Sequence, residues 1–202
     1  MNQLQPPPLP RTKSPGLNRR SKVLIGLAVV VMVLMSTLLL LRVFGLIRLI
    51  TWPTSSMAPA VLPGDHVMTE GFSFLSRKPR RGDIAAFKAN GIRALRVGDI
   101  YVKRIAGEPG EHVQISAGKL YVNDQRVVLS NALGEILYPL PPGAERMSPQ
   151  TDVTVPAGQY YVLGDNSINS SDSRFWGFVP ANNILGRVAF CYWPPKRVGA
   201  VK

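Results

Sequence analysis

Two adjacent serines lie between fixed prolines in the first third of the chain. Ser55 and Ser56 belong to the stretch TWPTSSMAPAVLPGD, with Pro53 before them and Pro59 after them. Each proline fixes its φ angle and removes a backbone donor, which favours a shaped segment over a loose linker. A serine held in this way can act as a nucleophile if a neighbouring base accepts its proton.

The usual base for such a serine is histidine, and the chain contains only two. His66 lies in PGDHVMTEG and His112 in EPGEHVQIS, and neither has a partner carboxylate in a recognisable arrangement. We therefore interpret both as ordinary surface histidines. The one cysteine, Cys191, lies in the apolar run GRVAFCYW and is predicted to be a buried structural thiol. These residues lack the spacing of metal ligands, so no metal or cofactor is predicted.

A lysine can replace histidine as the base if its amine is neutral. An exposed lysine has a pKa of about 10.4, and lowering it to about 7–8 by burial costs about 4 kcal/mol. Lys103 lies in the strand-like run DIYVKRIAGEPG. Strand alternation places Lys103 on one face with Tyr101 and Ile105 and turns Arg104 the other way. On this pattern alone, a surface lysine remains the alternative to a catalytic one.

The elements that must position these residues begin with an uncharged run of nineteen residues, 23–41. At about 1.5 Å per residue the run reaches about 28 Å as a helix, close to the hydrocarbon thickness of a bilayer. A core helix apolar on every face would need burial on every face, and no small-x-small cleavage site follows the run. We predict an uncleaved transmembrane helix over residues 23–41, preceded by a disordered basic tail over residues 1–22.

The basic tail predicts the orientation of the chain, with the amino end in the cytoplasm and residues 42–202 outside it. The formal net charge of +12 calls for a polyanion, either nucleic acid or an anionic membrane. The tail charges account for a good part of this value without nucleic acid. Lipid head groups facing a second basic cluster are a further hypothesis, with a solvated loop as its alternative; the cluster is Arg77, Lys78, Arg80 and Arg81.

Residues 42–202 carry the signals of a mainly β domain. The stretch HVQISAGKLYVNDQRVVLS alternates apolar and polar residues and is interrupted by the turn pairs Ala117-Gly118 and Asn123-Asp124. After residue 51 no helical period lasts three turns. We predict one transmembrane helix followed by an antiparallel β-sheet domain. Residues 131–156 are rich in proline and glycine, and we predict an excursion outside the core there.

Four blocks follow one another on this anchored β chain: PTSSMAPAVLPGD, RRGDIAAF, YVKRIAGEPGE and GDNSINSSDSRFWGFVP. Together they resemble the bacterial type I signal peptidases, Ser–Lys endopeptidases that remove signal peptides from exported preproteins. The resemblance runs from the anchor to about Trp193. It implies the β-sheet catalytic domain of that family, no cofactor, and a place in the bacterial inner (cell) membrane. The segment 131–156 would be a reduced form of the family's extra β-domain.

The resemblance also implies the roles of individual residues. Ser56 corresponds to the nucleophile and Lys103 to the general base. The oxyanion hole would consist of the main-chain N–H of Ser56 and the hydroxyl of Thr54, which stands where the family has serine. Ser170 corresponds to a serine that hydrogen-bonds the lysine amine. A charged pair that braces the site corresponds to Asp172 and Arg174.

The chain differs from the family's usual residues at some positions, and the resemblance also implies a set of substrate subsites. Ser55 stands where glycine is common, and Ser167 and Ile168 stand where the family often has arginine and aspartate. The subsites would take small residues at positions −1 and −3 of the signal peptide, and core packing is the alternative for two of their residues, Val61 and Val102. The residues of these subsites are Trp52, Pro53, Met57, Val61, Tyr101 and Val102.

Three other functions remain as alternatives. Conjugation-system peptidases that process pilin precursors share the Ser–Lys dyad on a short anchored chain. Self-cleaving SOS repressors use a related domain, but the membrane span and the lack of a helix-turn-helix segment ahead of it argue against them. The third alternative is a membrane-anchored β-rich binding module. Such a module would have no proteolytic activity, and its binding would survive substitution of Ser56 and Lys103.

Overall fold

A computed structural model describes residues 18–202, apart from the side chain of Glu145. The chain divides into two units, 1–40 and 41–202. Helix α1, Arg19–Val43, is long and apolar enough to cross a membrane by length and composition, and none of its residues is buried.

The start of helix α1 differs from the prediction by four residues. Asn18 accepts the N–H of Ser21 on its side chain at 2.8 Å and the N–H of Lys22 on its carbonyl at 3.1 Å. An asparagine in this position satisfies the free donors of the first turn, so the helix begins earlier than the uncharged run. Residues 19–22 are therefore helical, while residues 1–17 of the predicted basic tail lie outside the described residues.

The second unit is mainly β, which confirms the predicted fold class. All strand pairs in residues 18–202 are antiparallel. The main sheet has eight strands in the order β1-β2-β13-β3-β4-β11-β12, with β14 paired to β13. Its strands are β1 Ile47–Thr51, β2 His66–Glu70, β3 Ile84–Lys88, β4 Ile100–Gly107, β11 Gln159–Leu163, β12 Val179–Pro180, β13 Ile184–Trp193 and β14 Gly199–Ala200.

The remaining strands form two smaller sheets. The four-stranded sheet has the order β10-β5-β6-β7, and the two-stranded sheet joins β8 to β9. Two short helices complete the unit, α2 Ser73–Ser76 and α3 Ser173–Trp176. The strands are β5 His112–Ser116, β6 Lys119–Val122, β7 Gln125–Val127, β8 Ser130–Asn131, β9 Gly134–Glu135 and β10 Asp152–Thr154.

The two turns of the four-stranded sheet lie where the sequence predicts them. Ala117 and Gly118 have φ values of 48° and 75°, and Asn123 and Asp124 have 49° and 62°. Two consecutive positive φ angles match the twist of antiparallel strands and are the conformation of tight hairpin turns. The alternating residues Val113, Leu120 and Val122 are consequently buried.

The segment 131–156 differs from the predicted excursion, because part of it is core. Ile136, Tyr138 and Val155 are buried in one hydrophobic cluster with residues of the four-stranded sheet and of β11. The segment also supplies β10, which pairs with β5. The backbone of the segment is irregular, but its large apolar side chains belong to the core. A composition rich in proline and glycine does not show which side chains are buried.

Candidate active site

Ser56 and Lys103 meet at the centre of the second unit. Lys103 lies in β4, between β3 on one side and β11 on the other. Its Nζ atom donates a hydrogen bond of 2.7 Å to Ser56 Oγ. Lys103 is 2% exposed and Ser56 7% exposed. The two residues are 47 positions apart in the sequence, and the fold places them within reach of proton transfer.

Burial changes the chemistry of the lysine amine. Desolvation lowers the pKa of Lys103 to about 8. The carboxylates of Asp172 and Asp165 favour the charged amine and oppose this change, whereas Arg174 adds to it. A lysine with a pKa near 8 is partly neutral at physiological pH and can accept a proton from a serine hydroxyl.

The segment around Ser56, which we call the nucleophile segment after the predicted role of this serine, is fixed by its own backbone and by the turn after β11. A helical turn follows Ser56, with the N–H of Val61 bonded to the carbonyl of Met57 at 3.0 Å. Asn166 binds the segment from the other side: its main-chain N–H donates to Ser56 O at 3.1 Å and its side-chain amide donates to Ser55 O at 3.2 Å. These bonds hold the main chain at Ser55 and Ser56.

Thr54 and Ser170 differ in how the structure places them. Thr54 Oγ1 is 3.2 Å from Ser56 Oγ, within hydrogen-bond distance, so the threonine hydroxyl lies beside the serine oxygen. Ser170 Oγ is buried and has no hydrogen-bond partner among residues 18–202. The expected hydrogen bond from Ser170 to the amine of Lys103 is therefore not formed in this structure, although Ser170 lies against the site.

The position of Ser170 follows from the glycine beside it. An added Cβ atom at Gly164 would lie 2.5 Å from Ser170 Cβ and 2.6 Å from the carbonyl oxygen of Ser56. Only a residue without a side chain lets β11 approach the nucleophile segment so closely. Gly164 also donates its N–H to Asp172 Oδ2 at 3.0 Å.

Asp172 and Arg174 form a fully buried ion pair behind these residues. Arg174 Nε is 2.8 Å from Asp172 Oδ1, and Arg174 Nη2 is 2.9 Å from Oδ2. The guanidinium also donates to the carbonyl oxygens of Ser167 and Pro139 and to the hydroxyl of Ser167, at 2.8–2.9 Å. A buried charge is tolerated when it is paired and hydrogen-bonded in this way.

A second buried ion pair was not predicted from the sequence. Arg104, the residue after the lysine, binds Asp165 through Nε at 2.8 Å and Nη2 at 2.7 Å. Its Nη1 donates to the carbonyl of Gly82 at 2.9 Å. The alternation of side chains in β4 could have indicated this ion pair. Arg104 follows Lys103 and points to the other face of a central strand, where a buried arginine needs an acidic partner.

An open cleft of about 460 Å³ leads to the dyad, and its lining tests the predicted subsites. Trp52, Pro53 and Tyr101 line this cleft together with Ser56 and Lys103. The other predicted subsite residues do not line it, because they are fully buried in the hydrophobic cluster of the main sheet; they are Met57, Val61 and Val102. Sequence reasoning missed several lining residues: Ile50, Thr51, Asp99, Ile100, Asn169 and Ser171.

The two histidines lie among partners of their own. His112 Nε2 is 2.7 Å from Asp152 Oδ1 at the surface of the four-stranded sheet. This bond lowers the pKa of Asp152. His66 packs edge-on against Tyr192, with ring centroids 5.6 Å apart. Cys191 is buried, and burial raises its thiol pKa, so the thiolate is disfavoured.

Comparisons with known proteins identify a family for this architecture. Residues 23–193 match the family model described as signal peptidase, peptidase S26. The chain is 40% identical over 148 residues to a probable signal peptidase I-2 of Synechocystis sp., covering 73% of this chain and 63% of the relative. It is 37% identical over 152 residues to a signal peptidase I of Leptolyngbya laminosa, covering 73% and 69%.

A plant relative is similar to the same degree. The thylakoidal processing peptidase 1 of Arabidopsis thaliana, a chloroplast protein, is 40% identical over 152 residues, covering 72% of this chain and 42% of the relative. The matched region therefore spans less than two-thirds of the Synechocystis relative and less than half of the Arabidopsis one.

Proposed function

Because this chain belongs to the signal peptidase family, peptidase S26, we propose that it is a membrane-anchored serine endopeptidase that removes N-terminal signal peptides from exported preproteins. The observation that carries the proposal is the 2.7 Å hydrogen bond between Lys103 Nζ and Ser56 Oγ. It joins a nucleophile to a base of lowered pKa within the residues that match the family.

In the proposed reaction the neutral amine of Lys103 takes the proton of Ser56 Oγ as that oxygen attacks the scissile carbonyl. The main-chain N–H of Ser56 and the hydroxyl of Thr54 donate to the oxyanion of the tetrahedral intermediate, each worth about 3 kcal/mol. The protonated Lys103 then gives its proton to the leaving amine, and an acyl ester remains on Ser56. The neutral lysine next accepts a proton from a water that attacks the ester. As the bond between the ester carbon and Ser56 Oγ breaks, the protonated Lys103 returns that proton to Ser56 Oγ, which releases the signal peptide and restores the dyad.

Asp172 and Arg174 have a supporting role in this proposal. Their charges act on the lysine amine in opposite directions, and their pairing fixes both near Gly164 and Ser167. Ser170 is a small buried hydroxyl with no partner in residues 18–202, which leaves it available for the proposed hydrogen bond to the lysine amine.

We further propose that the cleft selects small residues at positions −1 and −3 of the signal peptide. Trp52, Pro53 and Tyr101 are its predicted subsite residues that border the dyad. The two aromatic side chains and the rigid proline form a wall beside Ser56. In this proposal the wall leaves room for an alanine side chain of the signal peptide and excludes larger side chains. The other three predicted residues, all in the core behind this wall, act by supporting it.

The proposed location is a bacterial inner membrane, with the amino end in the cytoplasm and the catalytic unit outside. The support is the set of basic residues before and within the first turn of α1, which favours the cytoplasmic side. A reporter enzyme active only outside the cytoplasm, fused after Lys202, tests this orientation. The lipid hypothesis for the second basic cluster is weakened by ion pairing, since Arg77 binds Asp83 and Arg81 binds Glu111.

The experiment that tests the activity uses the full chain in detergent with a preprotein that carries an Ala-x-Ala site. We expect cleavage after the second alanine, and loss of cleavage in folded Ser56→Ala and Lys103→Met variants. Cleavage that survives Lys103→Met would contradict the lysine base. If the folded wild type cuts no preprotein but cuts a pilin precursor, the conjugation-type activity replaces this proposal.

A further inference from the structure

A second groove, of about 470 Å³, lies on the far side of the turn that borders the dyad cleft. The turn connects β11 to α3. Asn169 and Ser171 of the turn line the dyad cleft, whereas Asn166, Ser167 and Ile168 line the second groove. One short stretch of chain therefore forms a wall of both cavities.

The second groove also adjoins the nucleophile segment. Ala58 and Pro59, which follow the nucleophile by two and three residues, line it. Asn166 fixes the shared turn to this segment through the carbonyls of Ser55 and Ser56. The two cavities thus both border the nucleophile segment. The hydrogen bonds of Asn166 hold the shared turn in a fixed position against this segment.

The free surface of the second groove is mostly apolar. Leu133 is 84% exposed, Ile168 56% and Leu137 50%, and all three line the groove. The groove also contains two carboxylates, but Glu135 is paired with Arg126 and Asp165 with Arg104. Exposed apolar side chains that converge on one concavity gain free energy when an apolar group covers them.

We propose that the second groove binds the preprotein residues that follow the cleavage site and favours an apolar side chain among them. The inference rests on the proposed function, because a peptide cut in its interior extends in both directions from the carbonyl that Ser56 attacks. The dyad cleft takes the signal-peptide side. The second groove adjoins the nucleophile segment at Ala58 and Pro59, and an extended chain reaches about 10 Å in three residues.

Ile168 is an exposed apolar residue of the groove wall. It stands where the resemblance to signal peptidases leads us to expect a charged residue, and its side chain is exposed on the groove wall. A charge at this position would be open to solvent and would attract an opposite charge. The isoleucine instead adds a third exposed apolar side chain to a groove that Leu133 and Leu137 also line, so an apolar side chain of the substrate is the one favoured there.

The test uses synthetic peptides with one Ala-x-Ala sequence before the cut and different residues after it. Serine occupies the first three positions after the cut in the reference peptide, and leucine or lysine replaces one serine at a time. For the full chain in detergent, we expect leucine at one of these positions to raise kcat/KM over the serine peptide by about 5–10-fold.

Ile168→Asp should reverse this preference. The expected leucine advantage falls below about 2-fold, and the lysine peptide becomes the better substrate, because a carboxylate on the wall attracts the ammonium group. Leu75→Asp is the matched control, since it places the same charge on an exposed leucine of α2 outside both cavities. It should keep the wild-type order of peptides.

The possible outcomes separate the groove from the activity. In one outcome the wild type cleaves every peptide, and the ratio of kcat/KM for the leucine and serine peptides is the same in the wild type, Ile168→Asp and Leu75→Asp. That result overturns the groove proposal and leaves the proposed function standing. The same change of ratio in Leu75→Asp and Ile168→Asp also overturns it. If the folded wild type cleaves no peptide, the proposed function fails and the groove inference fails with it.

Discussion

Arg174 Nη1 donates a hydrogen bond of 2.9 Å to the carbonyl oxygen of Pro139. The bond joins the irregular segment 131–156 to the ion pair behind the Ser–Lys dyad. Ser167 completes the contact, because its hydroxyl donates to Pro139 O at 3.0 Å and accepts from the same Arg174 nitrogen at 2.8 Å. The segment is therefore part of what holds the site together.

Ser167→Ala removes one of these acceptors from a fully buried guanidinium. We expect the free energy of unfolding of the catalytic unit to fall by about 1–3 kcal/mol, as for a hydrogen bond to a buried charge. Denaturant unfolding of the full chain in detergent measures it. Ser116→Ala, at the exposed end of β5, is the control and should change the value by less than about 0.5 kcal/mol. Equal stability of the two variants would contradict the role given to Ser167.

The pKa of Lys103 predicts how the activity depends on pH. The neutral amine is the reactive form, and burial lowers its pKa to about 8. The value of kcat/KM should therefore rise about tenfold per unit as pH increases toward 8 and level off above it. A peptide cleavage profile from pH 6 to 10 measures this limb. A flat profile between pH 6 and 8 would exclude Lys103 as the titrating base.

Lys103→Met should abolish cleavage and also stabilise the fold near neutral pH. The folded-state pKa of about 8 lies below the ordinary value of 10.5, so the folded state binds the proton less well than the unfolded chain. The resulting cost is fully present below pH 8 and disappears as pH rises to about 10.5. Methionine removes this cost, so we expect a gain of about 3 kcal/mol at pH 7 and little gain above pH 10.5.

Unfolding of the wild type and the Lys103→Met variant at both pH values measures the difference. A variant that is less stable than the wild type at pH 7 would mean that the hydrogen bond to Ser56 outweighs the burial of the charge. A gain of equal size at pH 7 and above pH 10.5 would show that packing of the methionine, and not the amine, is responsible.

Sequence patterns predicted the strand of Lys103 and the turns of the four-stranded sheet, because alternation and turn residues are local signals. They did not predict the contact of Arg174 with Pro139, since a main-chain carbonyl carries no side-chain signal and lies 35 residues away. They also did not distinguish core from cleft lining at Met57, Val61 and Val102, because an apolar residue on a core face and one on a cleft wall have the same pattern.

Gly164→Ala should strongly reduce activity by displacing Ser56. The added Cβ atom would be 2.6 Å from Ser56 O, and a backbone atom cannot rotate away from it as a side chain can. The nucleophile segment must shift by several tenths of an ångström, and a displacement approaching 1 Å costs about 100-fold in rate. We expect kcat/KM to fall by about 100-fold or more while the fold persists. Peptide cleavage measures the rate, and circular dichroism checks the fold.

Gly199→Ala is the control, because a Cβ atom there meets nothing within 4 Å, and this variant should cleave like the wild type. A folded Gly164→Ala protein with wild-type cleavage would mean that the nucleophile tolerates this shift.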